Sequence, residues 1–155
     1  MKRGPEVPKH PAPLEPALDF LQRLWALNHG LERASLRMER QLGVTAQQRL
    51  FIRCIGKYPD MAARDLALVL HLDHGTVSVS LRRLEKKRLI TRHRDPSDSR
   101  RVSLRLTARG KALDKPHAMS VEAAVSRLLR RTRSKDVATT KRLLDRLTHE
   151  LEWPG

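Results

Sequence analysis

Between residues 82 and 101 stand nine basic side chains, Arg82, Arg83, Lys86, Lys87, Arg88, Arg92, Arg94, Arg100 and Arg101, against three acidic ones, Glu85, Asp95 and Asp98. The chemistry open to such a cluster is neutralisation of a polyanion, because guanidinium and ammonium groups bind phosphate oxygens and release condensed counterions. The whole chain shares the bias: 32 Lys and Arg against 17 Asp and Glu give a formal net charge of +15. That balance points to nucleic acid as the partner. An acidic membrane surface attracts the same charge, but the chain has no run of about 18 apolar residues and no signal-peptide core. A soluble, cytoplasmic protein with no membrane partner is the expectation.

Catalytic chemistry has no comparable constellation. The seven histidines are scattered, and GxSxG, HExxH and a glycine-rich phosphate loop are absent. The lone Cys54 can form no intramolecular disulfide and belongs to no CxxC or Cys/His cluster. The sequence therefore predicts no enzyme activity, no cofactor and no metal.

The elements that must position the basic cluster can be read from periodicity. At 155 residues, with 39% hydrophobic and only 3% aromatic residues, one domain with an aliphatic, mainly helical core is expected. Five prolines among residues 1–16 predict an extended arm, ahead of a single domain over 17–155. Leu18, Leu21, Trp25, Leu31 and Met38 recur at helical spacing up to Leu42, with Gly43 as the terminator. Thr45 and Gln48 form a capping box for a second helix with Leu50, Phe51, Cys54 and Ile55 on its buried face. Ala63, Leu66, Ala67 and Leu70 mark a third helix. After the short "HLD" join, with Asp73 as cap, Val77, Leu81 and Leu84 mark a fourth.

That close pair has the spacing of a helix-turn-helix. Its second helix leaves Thr76, Ser78, Val79, Arg82 and Arg83 on the outside, small polar groups first and arginines further along. "LITRHR" and the alternating "RVSLRL", joined by "DPSDS", predict a β-hairpin. At its tip Asp95 can start the turn through its own backbone, and Asp98 can pair with Arg100 or Arg92. Thr107 should cap a fifth, long helix with a kink or break at Pro116. Ser134 should cap a last one with a seam of Val137, Thr140, Leu144, Leu147 and Leu151.

The span "LRRLEKKRLITRHRDPSDSRRVSLRLTARGKAL", Leu81 to Leu113, resembles the recognition helix and wing of the MarR (multiple antibiotic resistance regulator) family. Asp95, Asp98 and Arg100 match its D-x-x-D-x-R wing signature, and "LTARG" matches its strand-to-helix junction. The resemblance implies a winged helix-turn-helix over 45–107, flanked by dimerisation helices at 17–44 and 108–151. It also implies a homodimer that acts as a transcription regulator, usually a repressor, on a pseudo-palindromic double-stranded operator. Carried over by position, Thr76, Ser78 and Arg82 face the major groove, Val79 meets a thymine methyl, and Arg83 and Lys86 meet phosphates. Arg100 enters the minor groove and Arg101 lies on the backbone. Two residues depart from the pattern: Ala62 stands where a Ser or Thr cap is usual, and Gly75 where Ser or Pro is.

The resemblance further implies a small anionic or phenolic effector, for which Trp25, His29 and Arg53 are the candidate ligands. Each has a plainer role open to it, as dimer packing or a solvated face. Cys54 is expected to be an inert small hydrophobe, with peroxide sensing as the alternative. A non-specific nucleoid-associated or ribosome-associated basic protein explains the charge equally well, and differs in having no preferred duplex.

Overall fold

The computed structural model describes residues 13–94 and 102–152. The order is α1 (Pro16–Leu42), α2 (Ala46–Lys57), α3 (Ala63–Leu70), α4 (His74–Lys86), β1 (Ile90–Arg94), β2 (Val102–Leu106), α5 (Ala108–Leu113), α6 (Val121–Leu129) and α7 (Ser134–Glu152). It is a winged helix-turn-helix with long helices on either side.

Most boundaries follow from caps. Pro16 opens α1 rather than belonging to an arm, since its fixed φ suits a first helical position and the missing N–H would have had no partner there. Gly43 closes α1 at φ 73°, in the left-handed region. Thr45 Oγ1 accepts the Gln48 N–H at 3.1 Å, and Gln48 Oε1 accepts the Thr45 N–H at 3.3 Å, completing the box of α2. Thr107 Oγ1 accepts the Gly110 N–H at 3.0 Å and starts α5. Ala62 has no side-chain acceptor for α3, but Asp65 Oδ2 accepts the Ala62 N–H at 3.3 Å and so restores half of a box. Ser134 is not the cap of α7. It is the first helical residue, and the carbonyl of Arg133 accepts from Asp136 and Val137.

The expected fifth helix is two helices. It stops at Leu113, and α6 begins after a new cap, Ser120, whose side chain accepts the Ala123 N–H at 3.2 Å. Pro116 accounts for part of this, and two arginines of α2 account for the rest. Arg49 donates to the carbonyls of Leu113 and of Lys115, the latter at 2.7 Å, and Arg53 donates to the carbonyl of Asp114. These carbonyls, left without helical N–H partners beyond the end of α5, take the arginine donors instead.

The core gathers Phe51, Ile52 and Ile55 from α2, Leu66 from α3, Val77, Leu81 and Leu84 from α4, and Leu89, Ile90 and Leu104 around the hairpin. Leu50, expected to be inside, is 49% exposed, while Ile52 is fully buried. The buried arc of α2 is turned because that helix packs on the core with one side and on the α5–α6 connection with the other. Gly110 shows how closely α5 meets the strand region, since a Cβ there would overlap the carbonyl oxygen of Leu89. No side chain fits this position.

Among the described residues Arg49 is the buried charge, 1% exposed. Its Nε is 2.5 Å from Glu122 Oε1 on α6, and its other donors serve the two carbonyls of the connection. Replacing it by Met keeps the stem but leaves two carbonyls unmatched and takes one partner from Glu122, so Arg49→Met should destabilise by about 3 kcal/mol. The urea midpoint measures this, and an unchanged midpoint would show that the guanidinium is dispensable.

Candidate nucleic-acid interface

Helix α4 carries two faces by design of its sequence. Val77, Ser80, Leu81 and Leu84 are buried, while Ser78, Val79, Arg82, Arg83 and Lys86 lie exposed on the opposite arc. Spacings of one, three and four residues keep those five groups on one side of a helix. Among the described residues, none of Arg82, Arg83 and Lys86 has an acidic partner, so their donors face solvent. Thr76 is half-buried at the N-terminal end. Its backbone N–H donates to Asp73 Oδ1 at 2.8 Å and its hydroxyl to Asp73 Oδ2 at 2.6 Å. With its proton so engaged, the Thr76 oxygen presents lone pairs outward, the arrangement that accepts from an amino group.

Two other members of the basic cluster are engaged internally. Arg92 Nε is 3.0 Å from Glu85 Oε2, which ties the hairpin to α4. Lys87 Nζ turns inward to α1 and α2.

Strands β1 and β2 pair antiparallel from Ile90 opposite Leu106 to Arg94 opposite Val102. Asp95, Asp98, Arg100 and Arg101 lie outside the described residues. The base of the hairpin is held from the α2–α3 turn. Leu104 N–H donates to the Met61 carbonyl at 2.9 Å, Ala62 bridges to Ser103, and the Asp60 carboxylate accepts from Arg105 and, at 3.3 Å, from the Ser103 hydroxyl. Asp60 sits at φ 63°, a backbone state that its short side chain tolerates. Sequence periodicity gave no hint of this anchor, because Asp60 belongs to a turn and Arg105 to the polar face of a strand.

Of the three candidate effector residues, Trp25 and His29 stand four positions apart on one face of α1, while Arg53 on α2 is engaged elsewhere. Trp25 is 66% exposed on α1. His29 is exposed beside Glu32, with Nδ1 and Oε2 3.9 Å apart. Arg53 donates to the carbonyl of Asp114 and is 2.9 Å from Asp114 Oδ1. An open groove of about 650 Å³ runs between α1 and α6, but Leu27, Leu31, Met119 and Val125 line it, with Arg37 and Arg127, and none of the three does. Cys54 packs against the core, and burial pushes its thiol up although Lys57 pulls the other way. A raised thiol is a poor thiolate, the form that peroxide attacks.

The profile of the MarR family matches residues 42–101. An HTH-type transcriptional repressor of Mycobacterium tuberculosis is 30% identical over 106 residues, covering 68% of this chain and 76% of that protein. This chain belongs to the MarR family. The organic hydroperoxide resistance transcriptional regulator of Bacillus subtilis is also 30% identical, over 72% of this chain and 74% of its own length. Among solved structures, Streptococcus pneumoniae FabT in complex with DNA aligns with a TM-score of 0.61 at 27% identity, covering 88% of this chain and 95% of that one. The Staphylococcus aureus MepR–DNA complex aligns with a TM-score of 0.67 at 24% identity over 86% and 95% of the two chains, a likeness of fold. In this MarR-family chain the matched residues run from the end of α1 to the position just before β2, the segment that carries the two-faced helix.

The carboxyls that hold this lobe together titrate in one direction. Asp60 is held low chiefly by the hydrogen bond from Arg105, and Asp73 chiefly by the one from the Thr76 hydroxyl. Burial pushes Glu122 up, but bonds from its own backbone N–H, Arg49 and Ser120 outweigh it and leave that group low as well. The unfolded chain therefore holds more protons through the carboxylate range, and stability rises with pH there. The urea midpoint should be level above about pH 5 and fall as pH drops through about 4, with a shallower fall in Asp60→Asn. A midpoint that does not move between about pH 5 and 3 would contradict these assignments.

Proposed function

We propose that the chain is a dimeric, sequence-specific regulator of transcription that binds a pseudo-palindromic operator, acts as a repressor, and releases DNA when a small anionic or phenolic effector binds. The observation that carries the DNA reading is the outer face of α4, where acceptor, methyl and arginine groups follow one another with no acidic partner among the described residues. Thr76, Ser78 and Arg82 take base edges in the major groove, Val79 takes a thymine methyl, and Arg83 and Lys86 take phosphates. Arg100 enters the flanking minor groove and Arg101 follows the backbone, with Asp95 and Asp98 shaping the turn between them. The relatives' names support repression, and FabT was solved with DNA bound.

The dimer reading rests on what the long helices leave uncovered. Helix α1 has 27 residues and one buried, Met38, while α6 and α7, of 9 and 19 residues, have none. Leu18, Trp25, Leu31, Leu128 and Leu151 stand between 41% and 74% exposed. Helices this lightly packed need another surface for their apolar stripes, and a second copy supplies a self-complementary one. In that assembly 17–44 and 108–151 dimerise and 45–107 binds DNA. Trp25 and His29 offer an effector a ring and a donor, and Arg53 joins them when its pair with Asp114 opens. A regulator of this kind works in the cytoplasm, on DNA, and catalyses nothing. No described helix is long and apolar enough to cross a membrane.

Equilibrium binding to a selected operator and to scrambled duplexes tests the roles. Arg82→Ala should lose about 1 to 3 kcal/mol on the operator and much less elsewhere, and Arg100→Ala a similar amount. Arg83→Ala should weaken both duplexes alike and lower the salt dependence by about one phosphate contact. Equal affinity of the wild type for every duplex would favour a nucleoid-associated or ribosome-associated protein instead.

A further inference from the structure

Lys87 is the C-terminal cap residue of α4, one position beyond Lys86 in the basic cluster, yet its ammonium points away from the outer face. Nζ donates to the carbonyl of Gly43 at 2.8 Å and to Gln48 Oε1 at 2.9 Å, and lies 3.8 Å from Glu39 Oε1. Gly43 ends α1, Glu39 sits in its last turn, and Gln48 belongs to the capping box of α2. One cation thus joins the C-terminus of the longest helix, the N-terminus of α2 and the end of the recognition helix. The geometry suits the charges, since the last carbonyls of α1 carry the negative end of its dipole. Gln48 Oε1 serves Lys87 and the Thr45 N–H together, so the same atom starts α2 and seats the cation.

We infer that Lys87 is a positioning residue that fixes the recognition helix relative to α1, and so sets the half-site spacing that a dimer accepts. This rests on the dimeric DNA-binding reading given above. In a dimer paired through α1, α6 and α7, the separation of the two α4 helices depends on how each lobe is held against its own α1. Among the described residues two hydrogen-bonded contacts hold that junction: Ser35 Oγ, which accepts the Ala46 N–H at 3.0 Å, and the Lys87 ammonium. Only the second reaches α4. A lysine turned inward in this way makes no phosphate contact, which distinguishes it from Lys86.

Two measurements on the full chain decide the matter. The first is the salt dependence of binding to random-sequence duplex DNA. Lys87→Met should keep the wild-type slope, whereas Lys86→Met should lower it by about 0.9; an equal fall in Lys87→Met would overturn the inference. The second is selection from duplexes whose paired half-sites are separated by steps of one base pair. Wild type should select one spacing, Lys87→Met several, and Lys87→Arg should restore one. Strict spacing kept by Lys87→Met would overturn the inference. If Lys87→Met does not fold, Glu39→Gln, which removes the carboxylate from the other side, carries the same two expectations. A wild type that selects no paired half-sites would sink the dimeric reading, while the salt slope still decides where Lys87 points.

Discussion

A buried guanidinium must find acceptors for its donors or unfold what surrounds it, and that constraint on Arg49 organises the chain. Its charge lies inside α2, yet its acceptors, the carbonyls of Leu113 and Lys115 and the carboxylate of Glu122, all belong to the far side of the hairpin in sequence. Satisfying them brings the end of α5 and the start of α6 onto α2. Arg53 repeats the pattern one turn later through Asp114. The DNA-binding lobe and the helices that follow it are thereby held in one relation by directional bonds, where apolar contact alone would allow sliding.

The junction on the other side of the lobe is built from the same kind of bond. Ser35 and Lys87 connect α1 to α2 and α4, and the Asp60 carboxylate connects the α2–α3 turn to the hairpin. The recognition helix therefore meets solvent with its inner face in the core, its N-terminus fixed by Asp73 and its C-terminus fixed by Lys87. What remains free is the outer arc. Charge alone would have given a sticky surface, whereas a rigidly presented arc can discriminate between base edges.

The fold was largely legible because its boundaries are written in local chemistry. Thr45, Asp73, Thr107 and Gly43 each cap a helix through bonds to residues three or four positions away, which a linear reading captures. Alternation in "RVSLRL" likewise marked the second strand of the hairpin. What escaped depends on distant partners. Arg49 sits at a position that periodicity assigns to solvent, and only the arrival of α5 and α6 makes it interior. Pro116 signalled a disturbance, but the groups that satisfy the break are arginines more than 60 residues away. Lys87 and Arg92 counted as part of a DNA-facing cluster because sequence shows charge without direction. Arg82, Arg83 and Lys86 were separable from them only once the acceptors were placed. For Trp25 and His29 the spacing of four places both on one face of α1, whereas Arg53 is turned to Asp114 by a partner 61 positions away.

In the function proposed, the two lobes of a dimer present the outer arc of α4 to paired half-sites on double-stranded DNA. Selecting fragments of the source genome with the purified full chain, and sequencing those retained at physiological salt, tests it most directly. Enrichment of a pseudo-palindrome with half-sites about one helical turn apart, near a promoter, is the predicted result. Retention of fragments in proportion to their length, with no shared motif, would contradict it.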